Sequence, residues 1–386
     1  MSKRDSLLEY QSKSLVQDIP NRAPNSAPHE AGRQTFLPHR DPGVGFRAAI
    51  SPTDLAKRRQ RCAALADQIV SRLREFVPRC NMCGCERSAV IAKKDRYRVP
   101  SRTAMCMECG LIYQLDRLDD TEADRFYASG EYRDLVSRFS GSSQEIKLIH
   151  ADQIQYGRSV IAALAGHLQM PCSAAKILDI GGSAGYVAYE FQEYFGAAAT
   201  VLDPATQEVE AARKLGLEGI VASFETWEPD TQYDLVLLCR SIEHVRDLRS
   251  VLLKLRRCMT PAGYAYIDIV DFTELCRLVG PPEAVTKIDH CFWLTQECAP
   301  AIFRSIGLEI VTTNISPQPP LVGFLLRRCE PQPLPVADPA RRQSELRDLL
   351  RRNSEWHLTG NEAEPVFEKL RRQAYRVKRF VQKRFE

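Results

Sequence analysis

One stretch, "AKILDIGGSAGYVAYEFQEYF" (residues 175–195), constrains this chain more than any other. A short apolar run stops at glycines and restarts with a helical pattern. Six more apolar runs follow: "GAAATVLDP", "GIVAS", "YDLVLLC", "GYAYIDIV", "GLEIVTTNI" and "LVGFLLRRC". Helix-like stretches such as "TQEVEAARKLG" and "LRSVLLKLRRCM" separate several of them. Strands alternating with helices predict a parallel sheet covered by helices on both faces. The last two runs are joined by "SPQPP", which suits a hairpin at the sheet edge. Apart from a paired cysteine motif upstream, the chain shows no internal repeat.

Upstream of this rhythm the organisation changes. Residues 1–50 are rich in Pro, Arg, Asn and Ser without periodicity, and are expected to be disordered or loosely ordered. Ser51 as N-cap, Pro52 in the first turn and an apolar face through Leu55, Ala63, Leu65, Ile69, Leu73 and Phe76 predict a helix over 51–77. A cysteine module spans 78–115. Residues 116–170 read as helical, broken at Gly130, and 171–329 hold the strand–helix alternation. Of the 386 residues, 44% are apolar and the formal charge is +4. The stretch 327–386 holds 15 Lys/Arg against 9 Asp/Glu, so the basic character belongs to a helical tail over 330–386. No apolar run reaches the roughly 20 residues that span a membrane, and no export signal is evident. With an odd 13 cysteines, mostly scattered singly, a reducing, cytoplasmic setting is expected.

Cys80 and Cys83 form one Cys-x-x-Cys pair; Cys106 and Cys109 form another after 22 intervening residues. Two such pairs fit a tetrahedral zinc site, each presenting two thiolates from one tight turn. Gly84 and Gly110 follow the second cysteine of each pair, where a turn with positive φ is needed. A thiol-redox pair is the alternative, but redox chemistry needs one exposed pair rather than two matched ones. Four thiolates leave no open position, so the Zn²⁺ expected here is structural. Cys85 is surplus to the ligand set.

In "ILDIGGSAGY" the acid precedes the glycines. Asp179 therefore suits a ligand bearing an ammonium group, while Gly181, Gly182 and Gly185 let it approach a helix N-terminus. Asp203 ends the next run in "VLDPA", placed for a ribose diol. A glycine loop alone also fits nicotinamide dinucleotide folds. With "YDLVLLCRSIEHV" (233–245) and "LRRCMTPAGYAYIDI" (255–269), however, the segment from about 175 to 328 resembles a class I S-adenosylmethionine-dependent methyltransferase. Asp179, Gly181 and Gly185 match that family's acid and outer glycines; Ser183 stands at the middle glycine and Ala262 at the first glycine of the turn before strand five. The resemblance implies a Rossmann-like seven-stranded sheet, six strands parallel and one antiparallel in an edge hairpin, with a small zinc ribbon and helical additions. It also implies S-adenosylmethionine held by Asp179, Gly181, Gly182, Ser183, Gly185 and Asp203, with Phe224 a candidate adenine contact or a core aromatic.

The cysteine module followed by "FYASGEYRDL" is similar to bacterial methyltransferases of sugar and polysaccharide pathways, some of which methylate carbon. Those carbon-methylating relatives carry a further large C-terminal domain, and fewer than 60 residues follow Cys329 here, so O-methylation stands beside C-methylation. Transfer to a hydroxyl or carbon acid needs a base beyond the carboxyl ends of the strands. The candidates are His244 in "SIEHV" and His290 in "KIDHCFW". In the related enzymes an aspartate–histidine–aromatic stretch occupies the place of "DHCFW", which favours His290. Asp268 and Asp271 are candidates for sugar hydroxyls, and Tyr127, Tyr132 and Arg133 for closing the cofactor pocket. Glu225 reads as surface and Cys239 as core. A nucleic-acid aminomethylation motif and the acidic set of magnesium-dependent catechol enzymes are both missing. The expected acceptor is thus a sugar, glycan or related small metabolite. The alternatives are an RNA methyltransferase gripping phosphates through the ribbon and the basic segment 369–386, and a non-catalytic binding protein. That same basic segment is the candidate for peripheral membrane contact.

Overall fold

The computed structural model describes residues 50–141, 146–170, 175–315, 320–335 and 338–359. The unpatterned amino-terminal segment, most of the "SPQPP" link and the basic stretch 369–386 lie outside those residues.

Helix α1 (Pro52–Val70) starts where the capping signal places it: Ser51 Oγ accepts the Asp54 amide at 3.0 Å. It buries Leu55, Cys62, Leu65, Ala66 and Ile69 along one face. It ends seven residues earlier than the periodicity suggests. Leu73 and Phe76 belong instead to strand β1 (Leu73–Phe76), whose alternating burial suits a strand. The residue before Pro78 is biased away from helix, and a partner strand offers the backbone its hydrogen bonds. The ribbon follows, with β2 (Ser88–Ala92), β3 (Thr103–Cys106) and β4 (Ile112–Gln114) pairing antiparallel. Strand β5 (Asp116–Leu118) returns to pair with β1. Helices α2 (Asp120–Ala128) and α3 (Glu131–Ser140) are separated at Gly130, whose φ of 79° lies in the left-handed region. Helix α4 (Ile146–Leu164) leads to the main sheet.

That sheet is built from β6 (Lys176–Ile180), α5 (Tyr186–Phe195), β7 (Ala198–Asp203), α6 (Thr206–Lys214), β8 (Glu218–Val221), β9 (Tyr233–Leu238), α7 (Leu248–Cys258) and β10 (Met259–Val270). After α8 (Phe272–Leu278), the short α9 (Pro282–Val285) and the two-residue β11 (Phe292–Trp293), α10 (Ala299–Ile306) leads into β12 (Leu308–Ile315) and β13 (Leu321–Arg328). The strand order is β12-β13-β10-β9-β6-β7-β8. Neighbours from β10 through β8 run parallel, while β13 runs antiparallel to both β10 and β12. The terminal hairpin thus lies at the edge, with its antiparallel member as the inner strand. Val160, Val187 and Phe191 on α4 and α5 share one core cluster with sheet residues, and Val251, Leu255, Ile302 and Phe303 on α7 and α10 share another. The order reverses between β6 and β9, which opens a crevice at their carboxyl ends.

The ribbon is not a separate module. Its sheet has the order β11-β4-β3-β2, so its fourth strand comes from the segment after β10. Phe292 pairs with Tyr113 and Trp293 with Ile112. Cys80, Met82, Leu111 and Tyr113 belong to the same core cluster as the main sheet. Helix α11 (Pro339–Thr359) sets Leu346 and Leu349 against the cluster that holds Ile91 and Trp293. Among the described residues no helix is long and apolar enough to cross a membrane.

Candidate active site

The glycine loop leaves β6 at Ile180, and the Gly181 amide donates to Leu202 O at 2.7 Å. Gly185, at φ 79°, opens α5; a Cβ there would lie 2.6 Å from Leu217 Cδ1. Ser183 adopts φ 52°, a conformation that favours glycine, and it stands at the family's middle glycine. Its amide donates to Asp203 Oδ2 at 3.0 Å and its hydroxyl to Glu208 Oε2 at 2.9 Å. Arg133 of α3 pairs with the same Glu208, which straps the upstream helices to the loop. Asp203 also accepts the Ala205 amide at 2.8 Å.

Asp179 is 1% exposed, and neither of its carboxylate oxygens has a hydrogen-bond partner among the described residues. Gly182 passes directly over it, since a Cβ at that position would sit 2.6 Å from Asp179 Oδ2. Burial, reinforced by the charge of Asp203, pushes the Asp179 carboxyl up to about 8. An orphaned carboxyl under a glycine cradle fits a ligand that brings its own ammonium. Phe224 is packed in the core against Trp227, at 6.1 Å between rings, and lies under the Lys254 ammonium.

Three acids take roles that differ from expectation. Asp268 is 1% exposed and already accepts from Tyr156 Oη and the Arg240 amide, so its oxygens face internal partners rather than a sugar hydroxyl. Asp271 caps α8, accepting the Glu274 amide at 2.7 Å and the Gln296 amide at 2.6 Å. Glu225, expected at the surface, accepts the Arg246 and Asp247 amides at 2.9 and 3.0 Å and so shapes the turn before α7. Cys239 is partly buried, and burial holds its thiol well above the usual range. Arg240 was not legible as a site residue. It follows β9 at φ 51°, pairs with Asp152 at 2.6 Å and stacks on Tyr156 at 4.2 Å.

His244 sits on a single 3₁₀ turn (Ile242–His244) after β9, and His290 directly precedes the Cys291–Phe292 approach to β11. Their ring centroids are 4.7 Å apart at 84°. Between them lies Asp289, whose side chain is fully buried; its Oδ2 is 3.9 Å from His244 Nδ1 and 3.7 Å from His290 Nε2. Tyr127 of α2 places its hydroxyl 3.0 Å from His244 Nδ1. Tyr132 lies beside the rings of Tyr127 and His244. His244 Nδ1 is also 3.0 Å from the Asp289 carbonyl. A carbonyl only accepts, so the neutral ring carries its proton on Nδ1 and keeps Nε2 as the basic nitrogen. Burial pushes His244 down to about 4 and His290 well below the usual histidine value. His290 Nδ1 is buried without a partner among the described residues.

The loop carrying these groups is held by the ribbon. Gln114 donates its amide to Cys291 O at 3.0 Å and its side-chain Nε2 to Lys287 O at 2.7 Å. Asp95 accepts the Ile288 amide at 2.9 Å. The Cys291 amide donates to Glu243 O at 2.8 Å, tying the two histidine segments together.

At the other end of the ribbon, Cys80, Cys83, Cys106 and Cys109 place their sulfurs within 4.8 Å of one another, with two pairs at 3.5 Å. A tetrahedral zinc tetrathiolate with bonds of about 2.3 Å spaces its sulfurs by about 3.8 Å, so these residues fit the ion. Gly84 and Gly110 adopt φ of 72° and 79°. The Arg342 guanidinium of α11 also lies against Gly110. Cys85 is outside the set; its sulfur accepts the Arg87 amide at 3.2 Å. Two open clefts lie elsewhere, one beside the knuckle and one between α1 and α3. Neither is lined by the glycine loop or the histidines.

Residues 124–313 match the family model described as a methyltransferase domain. The ubiquinone biosynthesis O-methyltransferase of Rickettsia akari is 27% identical over 127 residues, which are 31% of this chain and 50% of that protein. That of Bordetella avium is 28% identical over 162 residues, 40% of this chain and 62% of the relative. The mitochondrial enzyme of the same name in Schizosaccharomyces pombe is 31% identical over 127 residues, 31% of this chain and 44% of the relative. The chain spans about half the length of the first of these curated relatives. Among solved structures, a SAM-dependent methyltransferase of Leishmania major superposes with a TM-score of 0.39 at 20% identity, covering 54% of this chain and 82% of that one.

Proposed function

We propose that this chain, which carries a class I S-adenosylmethionine-dependent methyltransferase domain, moves a methyl group onto a hydroxyl or acidic carbon of a sugar, glycan or related small metabolite. The observation that carries the reading is the histidine pair around Asp289, His290 buried and His244 half-buried, in the same fold as an orphaned Asp179 beneath the glycine loop. The O-methyltransferases among the curated relatives support transfer to oxygen. The sugar or glycan class rests on the likeness of the cysteine module to enzymes of those pathways.

When bound, S-adenosylmethionine supplies an electrophilic methyl on a sulfonium. The residues of this chain do the rest. Asp179 receives the ammonium, Gly181, Gly182, Ser183 and Gly185 let the ligand lie against the backbone, and Asp203 faces the ribose. Phe224 borders the adenine side from within the core. His290, with His244 beside it, takes the proton from the acceptor as its oxygen or carbon becomes the nucleophile. Asp289 lies 3.7 and 3.9 Å from the two rings, and solvent receives the proton afterwards. Cys80, Cys83, Cys106 and Cys109 hold a structural Zn²⁺.

Calorimetric titration with S-adenosylmethionine, followed by methyl-transfer assays on nucleotide-sugar, phenol and RNA pools, tests this reading. The expected result is binding by the wild type and turnover on a small hydroxylated acceptor. His290→Ala is expected to lower kcat by about 10²–10⁴-fold with unchanged cofactor affinity. Absence of binding, or full activity in that variant, would overturn the assignment.

A further inference from the structure

Lys287 stands where the cation of a His–Asp–His cluster would stand. Its Nζ lies 2.9 Å from Asp289 Oδ2, the oxygen that both histidines also approach. Two imidazole nitrogens and that carboxylate oxygen lie within 4.8 Å of one another, the donor set of a divalent-cation site. An ammonium on the shared oxygen opposes entry of such an ion by charge and by space. The Lys287 side chain is 14% exposed, and Gln114 holds its backbone carbonyl.

We propose that Lys287 is the built-in cation of this cluster: it keeps both imidazoles in the neutral, proton-accepting form and so sets the acid limit of turnover. The proposal rests on the reading of the histidines as the base, and Lys287 acts through them as a positioning residue. The other charged or titratable groups facing the rings come from four places. Asp289 lies on the same loop, Glu243 on the turn after β9, Tyr127 and Tyr132 on α2 and α3, and Arg96 on the ribbon. Burial is the first influence that lowers both imidazoles. At His244, Asp289 pulls upward and Lys287 downward; at His290, Lys287, His244 and Arg96 all push downward. Burial lifts the Glu243 carboxyl to about 7, which weakens it as a counter-charge. Among the described residues, Asp289 is therefore the strong anion beside the rings, and Lys287 neutralises it. Without that ammonium the carboxylate favours the imidazolium.

The test is to titrate the histidine ring protons by NMR in the full chain and to compare the pH profile of kcat/KM. Lys287→Met removes the charge at similar volume, and Lys287→Arg retains it. In Lys287→Met both imidazole pKa values are expected to rise by about one unit or more, moving the acid limb of kcat/KM with them. Lys287→Arg should stay near wild type. Imidazoles that do not move in Lys287→Met, when S-adenosylmethionine binding shows it folded, overturn the proposal. Should that variant misfold, Lys287→Gln is held to the same two outcomes. If the imidazoles move but the acid limb does not follow, the proposed control of turnover fails. If they move while the wild type transfers no methyl group, the electrostatic role stands and the reading of the histidines as the base fails.

Discussion

The four cysteines of the knuckle converge on a point that they fill, whereas Lys287, Asp289, His244 and His290 converge on one that they leave chemically unfinished. In the first cluster the groups are alike, their turns are closed by glycines at positive φ, and a single tetrahedral ion would satisfy them all. In the second the groups differ in charge, and buried polar atoms such as His290 Nδ1 have no partner among the described residues. A protein interior tolerates such an atom where a ligand or a proton is to be received. On the proposed reading, one cluster is built for permanence and the other for reaction. Yet they share a sheet, because β11, two residues beyond His290, pairs with β4, three residues beyond Cys109.

The contrast is tested most severely by removing a knuckle ligand. Cys106→Ser leaves three thiolates and a buried hydroxyl, and is expected to cost about 4–5 kcal/mol or more in stability. Metal analysis should fall from about one zinc per chain toward none, with a large drop in Tm. Because the ribbon joins the core of the main sheet, the whole domain should feel the loss, unlike an independent finger. Retained zinc with an unchanged Tm would show that the cluster is not the metal site its geometry describes.

Asp179 tests the reactive half through pH. Its carboxyl titrates near 8 in the unliganded protein against 3.8 for an ordinary aspartate, so the folded state holds a proton that the unfolded state has released over most of that window. This contribution to stability is present below pH 3.8 and is lost as pH rises toward 8. A ligand ammonium requires the ionised form, so binding below pH 8 must release the proton. Affinity for S-adenosylmethionine is then expected to rise about tenfold per pH unit up to about 8 and to level off above it. Asp179→Asn should bind weakly and without that slope. A flat pH dependence in the wild type would remove Asp179 as the ammonium partner.

Legibility from sequence followed the distance between partners. The strand–glycine–helix unit and the Cys-x-x-Cys turns are made by neighbours in the chain, and both occur where the pattern places them. Ser51 caps its helix through an amide three residues away. Asp268 looked available, and Glu225 looked exposed, because their partners are remote: Tyr156 is 112 residues from Asp268, and the Arg246 amide is 21 from Glu225. Asp271 is the exception, since it caps α8 through the Glu274 amide three residues on. Strand β11 is two residues long, too short for any periodicity, and its partner lies far upstream. The same remoteness hid Arg240, whose left-handed backbone depends on Asp268 accepting its amide. His244 and His290 were separately visible, but nothing local announced that Asp289 and Tyr127 would bring them together.

The smallest of these effects bears on the link between the two clusters. Gln114 is 1% exposed, and its amide and side chain hold Cys291 O and Lys287 O on either side of Asp289 and His290. Gln114→Met keeps the volume and the backbone bond but removes the Nε2 donor, leaving the buried Lys287 carbonyl without it. It also removes Gln114 Oε1, itself buried without a partner, so the net loss of stability should be only about 1 kcal/mol. Zinc content and cofactor affinity should not change. The expected loss lies in kcat, several-fold to about tenfold, because a base displaced by a fraction of an ångström is aligned in fewer encounters. Faster amide exchange at Ile288 and Cys291 should accompany it, reporting a looser loop without any chemistry being measured. Unchanged exchange with a normal kcat would mean that the ribbon merely adjoins the reactive site, and that the strand they share transmits no order from one to the other.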